Sequence, residues 1–316
     1  MLAFLVKRAG LALLSLLGVI VLVFAMVRLV PGDVVTNLIG IDGSVTPERR
    51  VELRRLFGLD LPLHEQFGTW FGGLLRGDLG TSLRTDRRVA EDLALRFPVT
   101  VQLALMALAI ALVVAVPLGV VAAVQRGKWP DTFASLFALL GIAAPSFWIA
   151  ILLILFFSLQ LRLFPPTGFV PFNENPIENL RVMFLPALAL GFSLAAATTR
   201  IVRSSLLEVL SLDYIRTGRA KGVGERVLVY RHAMRNALIP VVTVIGLQVG
   251  TLLGGTVIIE QIFGLPGIGR FALEGINLRD YPVVQGTVLL VAGAFVFVNV
   301  LVDALYALID PRVRFE

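Results

Sequence analysis

The 316-residue chain contains no cysteine. Disulfides, thiolate catalysis and Cys-ligated metals are therefore excluded. Histidine is nearly absent: His64 and His232 stand far apart in sequence, which argues against a His-rich metal site. Charge is scarce as well, at 16% of residues, against about a quarter in a soluble domain. No G-x-x-x-x-G-K-[ST] pattern occurs, and "GRAKGVG" has the wrong spacing, so there is no Walker A loop. If the protein uses ATP, another chain supplies the ATPase. No nucleophile elbow or zincin motif is present. No Ser/His, paired-Asp or metal-ligand constellation supports an intramembrane enzyme. No pair of acids interrupts an apolar run at its middle, which counts against a proton-coupled secondary transporter.

What is abundant is apolar sequence. Hydrophobic residues make up 57% of the chain, and mean hydropathy is +0.87. Six charge-free runs stand out: Ala9–Val27, Val99–Val124, Thr132–Leu161, Val182–Thr199, Ala237–Ile259 and Tyr281–Val302. Each is long enough for a helix to cross a hydrocarbon core of about 30 Å. Helices are the only open-chain structure that satisfies the backbone there. The fourth run is the shortest and is expected to continue as helix through Arg200–Leu210. The first is too long for a signal peptide and lacks an A-x-A site, so it reads as a retained helix.

Lys and Arg give the orientation. Lys7 and Arg8, Arg126 and Lys128, the eight cations of residues 200–235, and Arg312 and Arg314 all fall on one side. The positive-inside rule makes that side the cytoplasm and puts both termini there. The net charge of +6 needs no nucleic acid to explain it. Residues 32–96 form a long external segment with nearly balanced charge. Thr46 and Pro47 look like a helix start, with Leu53, Leu56 and Phe57 on one face. Trp70, Phe71, Leu74 and Leu75 suggest a second amphipathic stretch at the interface.

Within the runs, Pro117, Pro145 and Pro186 read as ordinary membrane-helix prolines. Gly246, Gly250 and Gly254 form a small-residue face suited to close packing. Ala195–Ala197 with Thr198 and Thr199 either pack or line a path. Glu260 ends the fifth run on the external side and is a candidate gate residue, as well placed for a structural role. Asp303 ends the sixth and is expected to pair with a basic residue.

The basic stretch "DYIRTGRAKGVGERVLVYRHAMRNA", residues 213–237, stands apart. Asp213 can cap a short helix, Tyr214–Lys221, about 12 Å long. Arg219 and Lys221 suit its C-terminal dipole, and Gly222 suits a left-handed stop. Gly224 allows a second turn, and Glu225 opens a second helix with Val227, Tyr230 and Met234 on its apolar face. Two readings remain open on these grounds: a basic loop on anionic headgroups, or a docking element for a cytoplasmic partner.

The segment resembles the cytoplasmic EAA loop of ABC importer permeases. Aligned on Gly222, the general Glu-Ala-Ala positions fall on Arg216, Thr217 and Gly218, and only the glycine agrees. The dipeptide/oligopeptide permease form, R-T-A-R-A-K-G followed by H-A-L-R-N-A, is matched closely by "RTGRAKG" and "HAMRNA". Gly218 replaces the usual alanine, at about 1 kcal/mol of helix propensity, which predicts a looser helix. "VRLVPGD", "GDLGTS", "RFPVT", "RSSLLEVLSLDYIRT", "EQIFGLPGIG", "RDYPVVQG" and "DPRVRF" extend the resemblance over nearly the whole chain.

The resemblance implies an all-α polytopic fold of about six membrane helices, as in type I ABC importers. It implies residues 1–31 as an N-terminal membrane helix, 32–96 as an external segment with short helices, and 97–316 as a five-helix permease core with coupling loop 203–237. The chain would be a transport subunit and not an enzyme, in a bacterial inner membrane. Its partners would be a second permease, by family habit a paralogue, two ATPase subunits that bind ATP and Mg, an external solute-binding protein and membrane lipid, with no nucleic acid. The coupling residues would be Asp213, Tyr214, Arg216, Thr217, Arg219, Ala220, Lys221, Gly222, His232, Arg235 and Asn236. The solute would be a peptide or another member of the family's range: glutathione, nickel chelates, haem or sugars. The competing reading is a stand-alone secondary transporter or channel.

Overall fold

A computed structural model describes residues 2–29, 55 and 60–309. In chain order its helices are α1 (Leu2–Leu29), α2 (Leu63–Leu75), α3 (Val89–Val124), α4 (Trp129–Ala143), α5 (Ser146–Leu153), α6 (Pro176–Leu210), α7 (Asp213–Ala220), α8 (Met234–Phe263), α9 (Ile268–Leu278) and α10 (Tyr281–Ile309). Two π-helical stretches, Ile154–Gln160 and Leu228–Ala233, extend α5 and lead into α8. All six apolar runs are helical. Among the described residues three helices are singly long and apolar enough to cross a membrane: Val89–Val124, Pro176–Leu210 and Tyr281–Val302. Counting each of two bent pairs as one span makes five, and α1 adds the shorter apolar stretch Gly10–Met26.

The third run is not one straight helix as expected. Trp129–Ala143 and Ser146–Gln160 meet at 104°. The cause is Pro145, whose ring pushes the residue before it out of the helical region. Ala144 is accordingly extended, at φ −79° and ψ 124°. Pro186 sits inside α6 without breaking it, and Pro117 lies within α3. The plain reading of membrane prolines therefore holds at Pro117 and Pro186 and fails at Pro145. The fourth run does continue to Leu210, and Asn175 caps its start by accepting from the Glu178 amide at 3.1 Å. The helix of the second run starts at Val89, ten residues before the apolar run itself.

The chain divides into two compact units: Met1–Val99 with Pro266–Val296, and Thr100–Leu265 with Phe297–Glu316. In the first unit, α2 places Phe67 and Trp70 against Phe24 of α1, with ring centroids 5.1 and 5.6 Å apart. The second amphipathic stretch thus exists, and its aromatic face packs on a helix of the same chain. Arg28 stands over the Phe24 ring and donates to Gln66 at 3.0 Å. The "GDLGTS" and "RDYPVVQG" stretches meet here. Ser82 donates to Asp280 Oδ2 at 2.6 Å, and the Leu83 amide approaches Oδ1 at 3.3 Å. Val89, Leu93, Ile268, Phe271 and Val283 close an apolar core around that join. The helix signals at Thr46, Pro47, Leu53, Leu56 and Phe57 lie outside the described residues.

In the second unit, α6 is the central element and packs on α4, α5 and α8. A Cβ on Gly141 of α4 would run into Ala196, and the Thr199 hydroxyl donates to the Ala195 carbonyl at 2.7 Å. Ala195, Ala196, Thr198 and Thr199 are buried within the unit, while Ala197 is partly exposed. Of the small-residue face on α8, a Cβ on Gly246 would run into Val302, while a Cβ on Gly254 would meet nothing within 4 Å beyond its own helix. The side chain of Asp303 is outside the described residues.

Candidate functional site

The basic segment forms a short helix held at both ends. Its start differs from the expected one. Asp213 is the first helical residue, not the cap; Leu212 takes the N-cap position and no side chain caps the helix. The reason is visible in the backbone: the Leu212 carbonyl already accepts from the Ile215 amide at 3.1 Å and the Arg216 amide at 3.3 Å. Asp213 instead lies 3.5 Å from Arg216 one turn on, an exposed pair worth little by itself. The Thr217 hydroxyl donates back to the Asp213 carbonyl at 2.9 Å.

The end is as read. Lys221 is the C-cap, and Gly222 follows at φ +80°. The Gly222 amide donates to the Arg219 carbonyl at 2.9 Å and the Val223 amide to the Gly218 carbonyl at 3.1 Å. This bond pair is the Schellman stop. Gly224 is different. It is an N-cap at φ −60° and ψ 142°, a conformation open to any residue, so the second turn does not depend on a glycine.

The helix is anchored, not loose. Ile215 is fully buried in a cluster with Val202, Leu206, Leu228, Val229 and Ala233. Gly218 is what lets the helix come so close, because a Cβ there would stand 2.6 Å from Leu228 Cδ2. Arg219 reaches across the turn to Glu225, with Nε to Oε1 at 2.6 Å and Nη2 to Oε2 at 3.2 Å. That fork holds the Arg219 guanidinium above its usual pKa and the Glu225 carboxyl below the usual carboxylate range. Asn236 donates to the Tyr214 hydroxyl at 3.0 Å, tying α7 to the first turn of α8.

The expected second amphipathic helix is replaced. Glu225–Val227 is a single helical turn that runs through the π-helical Leu228–Ala233 into α8. The wider π turns shift the register. The buried positions are Leu228, Val229, Ala233 and Met234, while Val227 and Tyr230 are exposed. Met234 alone of the expected face faces the core.

All eleven expected coupling residues are exposed: Asp213, Tyr214, Arg216, Thr217, Arg219, Ala220, Lys221, Gly222, His232, Arg235 and Asn236. The structure brings them together on one end of the second unit, around α7 and the start of α8. Sequence reading missed the residues that hold the surface in place: Ile215, Leu228 and Glu225. The signal for Ile215 was available, as it is the one aliphatic β-branched residue among the eight of α7.

Glu260 lies elsewhere, at the C-terminal end of α8, and is fully buried. Thr100 of α3 donates to Oε1 at 2.6 Å. The Glu260 carbonyl accepts from the Leu265 amide at 2.9 Å, in a stop where Gly264 is left-handed. Nearby, Gln102 is hydrogen-bonded to Asn179, Asn179 donates to the Val170 carbonyl at 2.7 Å, and the Gly168 amide donates to the Phe263 carbonyl at 3.0 Å. The N-terminal third of α3, the start of α6, the end of α8 and the loop before α6 are thus tied together by polar bonds.

Two family models match the chain. The "Binding-protein-dependent transport system inner membrane component" model matches residues 115–315, and its N-terminal companion matches residues 1–104. A Brucella abortus protein named "Putative peptide transport system permease protein" is 46% identical over 100% of both chains. The dipeptide transport system permease protein DppB of Escherichia coli K12 is 42% identical over 99% of both. Among solved structures, the MetNI methionine ABC transporter in inward-facing conformations superposes with a TM-score of 0.55 at 17% identity, covering 69% of this chain and 96% of that one. At that identity the likeness speaks for the fold alone, an all-α ABC-importer membrane domain.

The geometry at Gly222 yields a prediction. A Cβ there meets nothing within 4 Å, so the cost of substitution is purely that of a left-handed backbone, about 1–2 kcal/mol for an ordinary residue. Gly222→Val should strain the stop and lower the thermal stability of the purified chain, with faster amide exchange at the end of α7. Gly222→Asn, which tolerates that conformation, should cost distinctly less. Equal stability and exchange in the two variants would contradict this account of the turn.

Proposed function

Because the chain belongs to the family of binding-protein-dependent transport system inner membrane components, we propose that it forms part of the membrane path for peptides or peptide-like small solutes. As a family member it is a multi-pass inner-membrane transport subunit and not an enzyme. It works with ATPase subunits, which bind the ATP, and with an external binding protein. Peptides are proposed because the similar full-length relatives carry peptide and dipeptide permease names. The second permease of the complex is proposed to be a paralogue, and residues 97–316 its five-helix core partner.

The observation that carries the coupling role is the contrast within α7. Ile215 is buried while Tyr214, Arg216, Thr217, Arg219 and Ala220 around it are exposed. A helix anchored on one side and basic on the other suits a cleft on an ATPase. Closure of the ATPase pair would press on α7, and the Ile215 anchor would pass the load to α6 and α8. Glu260 is proposed as a gate residue at the opposite end of α8, holding Thr100 while the external side is closed.

Two variants in the reconstituted complex test both roles. Arg216→Glu keeps α7 but reverses its contact charge, and should abolish the ATP hydrolysis that loaded binding protein stimulates. Full stimulation would make α7 an ordinary lipid-facing loop. Glu260→Gln should lower uptake more than assembly, and unchanged uptake would leave Glu260 a packing residue.

The proposed orientation puts α7 and both termini in the cytoplasm and residues 32–96 outside. With no native cysteine, single cysteines at Thr85 and Gly224 report on it directly. In intact spheroplasts an impermeant reagent should label Thr85→Cys and spare Gly224→Cys. The reverse pattern would invert the topology.

A further inference from the structure

Asp131, the third residue of α4, is buried at 6% exposure. Arg203 of α6 grips both of its carboxylate oxygens, with Nε to Oδ1 at 2.5 Å and Nη2 to Oδ2 at 2.9 Å. The Gly127 amide donates to Oδ2 at 2.9 Å, so the same carboxylate fixes the turn between α3 and α4. None of these residues belongs to the exposed surface around α7.

Their position gives them a task. From Arg203, α6 runs two more turns to Leu210, and α7 begins at Asp213. Those last turns are packed into one block with α7: Val202, Leu206 and Val209 share the apolar cluster of Ile215, with Val120 and Ala123 of α3 and Val241 of α8. Contact between α3 and α6 is tight, since a Cβ on Gly119 would stand 2.7 Å from Val202 Cβ and 2.9 Å from the Thr199 carbonyl. No α4 residue belongs to this cluster. Beside it, α4 is tied by the Asp131–Arg203 fork. Further along, α4 also packs on α6 through small residues, where a Cβ on Gly141 would run into Ala196. What the fork adds at the end beside the cluster is a directional, bidentate hold that fixes the register of the two helices, and removing Arg203 strands the buried Asp131 charge. α4 is also the first half of the span broken at Ala144–Pro145.

We infer that Asp131 is a positioning residue for transport: through Arg203 it makes the broken span follow α6 when α7 is displaced. This rests on α7 being the coupling helix. In its absence α7 would still answer the ATPase, but α4 would lag, so ATP would be consumed without matching movement of solute.

The test is the number of solute molecules imported per ATP hydrolysed, measured in proteoliposomes holding the whole complex and supplied with loaded binding protein and a radiolabelled dipeptide. Asp131→Asn keeps volume and an acceptor for the Gly127 amide. Arg203→Lys keeps charge without the fork. Both should assemble with the ATPase and keep stimulated hydrolysis, while the ratio falls about fivefold or more. Exchanging the pair, Asp131→Arg with Arg203→Asp, should recover much of the ratio. A wild-type ratio in both single variants overturns the inference. So does poor assembly of both with no rescue by the exchange, which would mark the pair as purely structural. Arg216→Glu run alongside separates the two readings. Stimulation retained in Arg216→Glu sinks the coupling role of α7, whereas its loss there with a normal ratio in Asp131→Asn sinks only the role of Asp131.

Discussion

Burial of Ile215 converts an exposed basic segment into part of the helix bundle. An isolated helix of eight residues is marginal in water, because few hydrogen bonds follow the costly first turn. Seating one isoleucine fully in an apolar site contributes about 1.5–3 kcal/mol, enough to decide whether α7 exists. The cluster receiving it comes from α3, α6, the π-helical stretch and α8. The Gly218 approach, the Arg219–Glu225 fork and the Tyr214–Asn236 bond act on a helix that Ile215 has already placed. With that anchor, a force on the exposed face of α7 reaches several membrane helices at once. Without it, the same residues would be a basic loop on a lipid surface.

The opposite end of the same unit is built on polar bonds. Glu260 and Asn179 are wholly buried, and each is hydrogen-bonded to a residue of α3. Buried polar groups with missing partners are expensive, so such a cluster favours one fully bonded arrangement over intermediate ones. Apolar packing around α7 and a hydrogen-bonded polar cluster around Glu260 give the two ends of α8 different physical characters.

Much of this was legible in the sequence, for definite reasons. The six runs were visible because charge is so costly inside a membrane that its absence marks a span. Gly222 was visible because a glycine after a cationic last turn has a specific geometric use. Gly224 has the same local look but sits in a conformation open to any residue, so its neighbourhood could not tell the two apart. Pro145 was opaque likewise: three prolines lie in similar apolar settings, and packing decides which one bends the chain. The π-helical stretch moved the buried face from Val227 and Tyr230 to Leu228 and Val229, a shift no 3.6-residue period contains. The long-range polar pairs were the least legible. Ser82 with Asp280, Thr100 with Glu260, and Asp131 with Arg203 each join residues far apart in sequence; Glu260 stood out alone, but its partner did not, and only the tertiary fold brings the pairs to bonding distance.

The central claim is that α7 and the adjoining ends of the membrane helices move as one body. The most direct measurement is the distance between spin labels at Ala220→Cys on α7 and Thr132→Cys on α4, both exposed positions, in the assembled complex with and without trapped ATP. The account predicts one distance, unchanged by ATP. A shift exceeding a helical turn, about 5 Å, would show α7 moving independently of the bundle and contradict it.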